Sequence, residues 1–124
     1  MTDHATTIRA YWAAAEARDW DTFASLLSPG VVYVVAQTRE RVTGREAYVR
    51  FNREFPGDWH LRARRVVADD DGGASWLDFT LGDETMTGIS FFTFDEAGLI
   101  ASVDDFWPEP YDPPSGREHL TERY

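Results

Sequence analysis

Residues 74–107 read ASWLDFTLGDETMTGISFFTFDEAGLIASVDDFW, and the period of this stretch decides the fold. Apolar and polar side chains interleave in three runs, Ala74 to Leu81, Thr85 to Phe94 and Leu99 to Trp107, as they do in β-strands. Gly82-Asp83-Glu84 and Asp95-Glu96-Ala97-Gly98 separate the runs. Connections this short join antiparallel neighbours, so the three runs form a meander. Trp59 to Ala68 adds a strand upstream, and Asp69-Asp70-Asp71-Gly72-Gly73 supplies the turn between them.

Toward the N-terminus the period changes. Ile8, Tyr11, Trp12 and Ala15 recur at the spacing of an amphipathic helix between Thr7 and Ala17. Asp19-Trp20-Asp21 offers caps for a short second helix carrying Phe23, Leu26 and Leu27, which Ser28-Pro29-Gly30 stops. Val31 to Val35 has the β-branched and aromatic composition of a strand. After a polar loop, Thr43-Gly44-Arg45-Glu46 has the spacing of a capping box, and the helix it opens carries Ala47, Tyr48, Phe51 and Phe55 inward until Pro56-Gly57. Helices first and sheet later define an α+β layout in a single domain spanning residues 1–124. Residues 108–124 place four prolines in their first seven positions and read as an extended tail.

Composition narrows the chemistry. The 124 residues are 43% hydrophobic and 15% aromatic, too apolar for a disordered chain and rich enough in rings for a large core or an aromatic-lined cavity. A net charge of −10 disfavours nucleic acid and anionic membrane surfaces as partners. No run approaches the ~18 apolar residues of a membrane span. Met1-Thr2-Asp3-His4 lacks the layout of a secretion signal, so the expected location is cytoplasmic. With no Cys and no Lys, thiolate chemistry, Schiff bases and a Walker-type lysine are all absent. Arg without Lys and abundant Ala is the usage of a GC-rich bacterial genome. Carboxylates, Tyr, His, Ser, Thr and Arg remain for catalysis. No two of the three His have ligand spacing and no Gly-x-Ser-x-Gly occurs, so no metal, cofactor or nucleophile elbow is expected.

Alternation sorts each strand into two faces, and both are partly apolar. Trp76, Asp78 and Thr80 oppose Leu77, Phe79 and Leu81; Gly88, Ser90 and Phe92 oppose Ile89 and Phe91; Val103, Asp105 and Trp107 oppose Ser102, Asp104 and Phe106. Helices over one face and a second subunit over the other account for this pattern, so a homodimer through the outer sheet face is expected. A face mixing Trp, Asp and Ser among apolar neighbours also has the make-up of a small-molecule pocket, with Trp76, Ser90, Phe92, Val35, Val103 and Trp107 as its candidate walls.

Element order and motifs resemble the nuclear transport factor 2-like superfamily, particularly its SnoaL-like branch of polyketide cyclases and relatives. The resemblance runs over nearly the whole chain. It is carried by Tyr11-Trp12-x3-Glu16-x2-Asp19-Trp20-Asp21, by Val42-Thr43-Gly44-Arg45-Glu46-Ala47, and by Phe94-Asp95-Glu96-x-Gly98-x-Ile100 leading into Asp104-Asp105-Phe106-Trp107. It implies a cone in which three N-terminal helices pack on a strongly curved mixed or antiparallel sheet around a pocket. Members include isomerases, cyclases, epoxide hydrolases and binding proteins, so fold alone assigns no activity. Similarity to ketosteroid isomerases puts Tyr11 on their catalytic tyrosine, but Ser90 where the oxyanion-hole Asp belongs and Val35 where the base belongs. Similarity to limonene-type epoxide hydrolases puts Asp78, Asp105 and Tyr33 on catalytic positions, with Trp76 in place of the bridging Arg and Val35 in place of the Asn. SnoaL-like cyclases also carry a catalytic Asp at the position of Asp105.

Asp78, Asp105, Tyr33 and Tyr11 are therefore the candidate catalytic residues. Two carboxylates facing one apolar cavity suit acid–base work, because burial and mutual repulsion separate their pKa values. The function expected is cofactor-free cyclisation, isomerisation or epoxide opening on a hydrophobic metabolite of secondary or catabolic metabolism. A ligand-binding module without catalysis and a dimerising domain with a filled core are the alternatives. Asp78 has a solvent-facing alternative, and His60, alternating with Arg62 and Arg64, is a distant candidate base.

Overall fold

A computed structural model describes residues 3–124. Three helices come first: α1 (His4–Ala17), α2 (Trp20–Ser25) and α3 (Arg45–Arg53). Six strands follow or intervene: β1 (Leu27–Val35), β2 (Glu40–Thr43), β3 (Trp59–Ala68), β4 (Gly73–Leu81), β5 (Glu84–Phe94) and β6 (Ile100–Phe106). They form one open sheet in the order β2-β1-β6-β5-β4-β3. All pairs are antiparallel except β1–β6, which is parallel, so the sheet is mixed. The four-strand meander β3 to β6 stands where alternation places it, within a residue or two at each end.

Local chemistry sets the helix ends. The Asp3 carboxylate accepts the backbone N–H groups of Ala5 and Thr6 and starts α1 a turn before the first periodic residue. Arg18, left-handed at φ 59°, ends it. Asp19 caps α2 through Thr22 as its sequence position implies. Three features differ from the sequence expectation. Ser28-Pro29-Gly30 is no turn but part of β1, whose pairing to β6 shifts register between Leu27 and Val32. The polar loop before α3 contains the edge strand β2. The capping box is not formed, because Thr43 ends β2 and Gly44, at φ 96°, occupies the N-cap without a side-chain bond.

The helices share one face of the sheet. α1 packs on β3 and β4, α3 packs on β1, and α2 bridges α1 and α3. Anchoring helices near both edges leaves the central strands β5 and β6 facing the interior between them. Ile8 and Tyr11 from α1, Phe23 from α2, Leu27 and Val31 from β1, and Leu77 from β4 are fully buried there. Among the described residues no layer covers the opposite face. Val67, Trp76, Phe91 and Phe106 are 37–51% exposed on it. Beyond Trp107 the chain has no regular structure apart from a 3-10 turn at Glu118–Leu120. Among the described residues no helix is long and apolar enough to cross a membrane.

Candidate functional site

The two candidate aspartates lie on opposite faces of the sheet. Residues paired across strands share a face, and β4 and β5 pair Ser75 with Ser90, Leu77 with Gly88, and Asp78 with Thr87. Ser90 in turn pairs with Asp105. Asp105 is therefore on the inner face, 3% exposed, whereas Asp78 is on the outer one. There the Asp78 carboxylate accepts from Arg62 at 2.9 Å and lies 3.8 Å from Arg64. Trp76 is outside as well, 39% exposed, with the Arg64 guanidinium 4.6 Å from its ring centroid. Neither residue reaches the interior, so the two-carboxylate site expected from the sequence does not form, and Trp76 is no pocket wall.

Asp105 stands alone. Its Oδ1 accepts from the Ser90 hydroxyl at 2.5 Å and its Oδ2 from the Tyr33 hydroxyl at 2.6 Å. Burial pushes its pKa up to about 6, against the pull of these two hydrogen bonds, and Asp104 next door adds to the rise. No basic side chain lines the cavity beside it. Its register partners are Val35 on β1 and Ser90 on β5, so the one carboxylate occupies the strand between them.

The cavity measures about 50 Å³, several times the roughly 10–15 Å³ that admits one water. Its buried wall is Trp12, Tyr33, Tyr48, Trp59, Phe79 and Asp105. Phe51, Asn52, Leu61 and Trp107, half-buried, and Phe55, 38% exposed, form the mouth. Eight of these eleven residues are aromatic, so apolar rings surround a single ionisable carboxyl. Tyr33 stacks on Tyr48 with centroids 4.6 Å apart. Tyr11 is fully buried behind the wall, in hydroxyl-to-hydroxyl contact with Tyr48. Burial holds all three phenols above their ordinary pKa, hence protonated. Trp59 is fixed from outside by Arg18, whose guanidinium lies 3.4 Å from its ring centroid and donates to its carbonyl.

Of the expected pocket residues, Asp105, Tyr33 and Trp107 line the cavity. Ser90 supports Asp105 from behind, and Tyr11 supports Tyr48. Phe92, Val35 and Val103 are core, Phe92 lying edge-on to Tyr11. His60 lies on the surface, bridging Glu16 and Asp58, and is no base for this cavity. The sequence reading put Tyr48 on the inner side of α3 without assigning it a role. Trp12, Trp59 and Phe79 have no assigned role in the sequence reading either, because an inward aromatic at a cavity wall carries the same periodic signal as one in a core; Asn52 and Leu61, at the mouth, are likewise unassigned. Among the described residues no three His, Asp or Glu cluster to hold a metal.

A SnoaL-like domain model matches residues 8–103. The fold superposes with a TM-score of 0.94 on a Kribbella flavida protein described as a candidate ketosteroid isomerase, at 46% identity over 98% of this chain and 89% of the other. It also superposes on an LEH-like epoxide hydrolase from M. tuberculosis (TM-score 0.69, 19% identity, 85% and 82% covered). A candidate SnoaL-like polyketide cyclase from Shewanella denitrificans gives 0.73 at 12% identity, with 85% and 90% covered. No curated protein matches the chain. The helix order, the mixed sheet and the family match agree: the chain belongs to the SnoaL-like domain family of the nuclear transport factor 2-like fold.

Proposed function

We propose that the protein is a cofactor-independent acid–base enzyme in which Asp105 relocates a proton within a hydrophobic carbonyl compound, as in isomerisation or cyclisation through an enolate. The observation that carries this reading is a buried carboxyl without a cationic partner, with a pKa near 6, at the wall of an aromatic cavity. A base with such a pKa is mostly ionised at neutral pH yet binds a proton well enough to return it. Asp105 takes a proton from a carbon next to the carbonyl and delivers it to another atom of the same molecule. The balance closes with no second acid, which a lone carboxylate suits better than epoxide opening, where a water must be deprotonated as the leaving oxygen is protonated.

Tyr48 supplies the complementary donor. Tyr11 has Tyr48 as its hydroxyl partner, and by donating to it leaves the Tyr48 proton free for a developing oxyanion. The name given to the Kribbella flavida relative agrees with proton relocation in a hydrophobic ketone. Asp105 lies between Val35 and Ser90, the two positions where the resemblance to ketosteroid isomerases leads one to expect carboxylates. One group on the intervening strand then does the work of the missing base.

The test is deuterium incorporation from D2O into a panel of β,γ-unsaturated ketones, read by mass spectrometry above the uncatalysed rate; label enters in those turnovers in which the proton held on Asp105 exchanges with solvent before its return. Exchange above background should be lost in Asp105→Asn and kept in Asp78→Asn; enzyme-dependent exchange that survives Asp105→Asn overturns the mechanism. A second reading, a ligand-binding module without turnover, draws on the two hydroxyls that already satisfy Asp105. It predicts ligand binding with no exchange in any variant. The uncovered outer face, where Phe91 and Phe106 meet edge to face at 5.9 Å, we assign to a second copy of the chain. Sedimentation of wild type against Phe91→Arg tests that assignment.

A further inference from the structure

The chain beyond Trp107 is an arm ordered within itself and detached from its own body. Residues 108–114 place four prolines in seven positions, which favours an extended polyproline course. The arm then turns back on itself. The Glu118 carboxylate accepts from the Gly116 N–H at 2.9 Å, the Leu120 N–H donates to the Arg117 carbonyl, and the Arg123 guanidinium lies 3.9 Å from the Asp112 carboxylate. Among the described residues, every hydrogen bond and ion pair of residues 108–124 stays within the arm. Tyr111 is 86% exposed and Leu120 74%. The match to the Kribbella flavida protein covers 98% of this chain, so residues 108–124 lie almost wholly within it.

The outer sheet face has a cationic edge of matching character. β3 is an edge strand, and its residues Arg62 and Arg65 pair with Asp78 and Trp76, which puts both on the outer face. The register shift between Ala63 and Arg65 sets Arg64 beside them, its guanidinium over the Trp76 ring. Asp78 pairs with Arg62 and Arg64, and among the described residues Arg65 has no ion-pair partner. Three guanidinium groups against one carboxylate make this edge positive on a chain of net charge −10. The arm has the opposite balance, with Glu109, Asp112, Glu118 and Glu122 against Arg117 and Arg123. It also starts on the outer face, because Pro108 lines a groove there with Ile89, Phe91 and Phe106. The arm does not cover its own sheet, since Trp76 and Phe91 remain exposed.

We propose that the arm is exchanged between two copies of the chain: in a dimer formed through the outer faces, residues 108–124 of each subunit dock on the Arg62, Arg64 and Arg65 edge of the other. The exchange rests on the assignment of the outer face to a second copy. Three strand spacings, roughly 14 Å, separate β6 from the β3 edge, and the polyproline stretch 108–114 reaches roughly 20 Å, so the arm can cross that distance over a facing sheet. Its carboxylates then meet the unpaired Arg65 guanidinium, and Tyr111 gains the ring and cations around Trp76 in place of solvent. The prolines hold the extended course before docking, which lowers the cost of ordering it. Because the exchange is reciprocal, two equivalent contacts close the dimer and leave no arm free to recruit a third copy.

Charge reversal in the full chain, read by sedimentation equilibrium, tests the exchange. Glu109→Arg with Asp112→Arg reverses the arm, and Arg62→Glu with Arg65→Glu reverses the edge. Each variant alone should dissociate roughly tenfold more readily than wild type, because both of its exchanged contacts become repulsive. An equimolar mixture of the two should recover wild-type association to within about threefold, since in the mixed dimer each arm meets an edge of opposite sign. Arg65→Glu alone, which breaks no ion pair, replaces the edge variant if that does not fold. Recovery in a chain carrying both sets of substitutions but not in the mixture would put each arm on its own subunit. Loss without recovery in either, or no loss in either variant, would mean that arm and edge do not meet. Each of these results overturns the exchange and, where Phe91→Arg still dissociates the dimer, leaves the outer face as the interface. A wild type that stays monomeric at every concentration overturns both.

Discussion

Asp78 and Asp105 are the same residue type in the same sheet, two strands apart and on opposite faces, and they have been given different physics. Asp78 sits on the uncovered face with two arginines within 4 Å and a third of its side chain in water. Asp105 sits under the helices with two hydroxyls and no cation. An exposed carboxylate with cations nearby is an ordinary surface group. A buried one without them holds its proton more tightly than water would allow, a property of use in proton transfer and a cost to the fold. The comparison separates site from scaffold more sharply than residue identity does.

The largest effect expected from this contrast is on turnover. Asp105→Asn should lower the exchange rate by roughly 10³-fold, the scale of a lost general base, with Asp78→Asn within about twofold of wild type. Because the base must be ionised to act, the wild-type rate should climb with pH through about 6 and then level. A flat profile between pH 5 and 8 would break the link between the buried carboxyl and the chemistry.

Stability should move the other way. The folded pKa of Asp105 is raised, so the native state binds this proton more strongly than the unfolded chain. The deficit is absent below the unfolded value near 3.9, grows as pH rises toward 6, and is complete above it. From a rise to about 6 it amounts to about 3 kcal/mol at pH 7. Asp105→Asn removes the charge, and the Ser90 and Tyr33 hydroxyls can turn to serve the amide. Urea unfolding should therefore show the variant more stable by up to about 3 kcal/mol at pH 7 and no more stable at pH 4. A variant less stable than wild type at pH 7 would mean that Asp105 is a structural anchor rather than a strained functional group.

Tyr33→Phe is a smaller perturbation of the same group. It deletes a hydrogen bond that favours the ionised form, so the Asp105 pKa should rise further. The midpoint of the rate profile should follow it upward, and carbon-detected NMR of the Asp105 carboxyl should give the same shift. An unmoved midpoint would show that Tyr33 packs against the site without tuning it.

Most of this architecture was legible in the sequence, and for Trp76 and Asp78 the difference lies in the β4–β5 connection. Taken as Gly82-Asp83-Glu84, the β4–β5 link has three residues, which sets Asp78 across from Gly88 and on the face of Ser90. In the structure Leu81 pairs with Glu84 around the two-residue turn Gly82-Asp83. That moves the partner of Asp78 by one residue, to Thr87, and a one-residue slip transfers a whole strand to the other face. Trp76 and Asp78 went outward together for this reason. Asp105 was immune, since its pairing with Ser90 depends on the next hairpin, and Tyr33 was placed by the β-branched run of β1. The edge strand β2 and the first half of β1 were hidden by Ser28-Pro29-Gly30 and by polar composition, because an edge strand needs neither an apolar face nor a full ladder. Tyr48 lay at the right helical spacing, but spacing shows only which way a ring points and not whether space lies in front of it.

Asp78 supplies the smallest effect and the control for the rest. Its partners Arg62 and Arg64 keep 78% and 53% of their side-chain surface in water, so solvent competes for both ion pairs. Asp78→Asn should change stability by less than about 1 kcal/mol at pH 7, and raising the salt concentration should shrink even that difference. The opposite sign is informative too. If the outer face is covered by a second copy, water is excluded from these pairs on assembly, and the substitution leaves two buried guanidinium groups short of a partner. Its cost would then depend on protein concentration, small in dilute samples and growing as the dimer fills. Denaturation of wild type and Asp78→Asn at two concentrations tenfold or more apart thus tells whether the contrast between the two aspartates is one of inside against outside, or of a cavity against an interface.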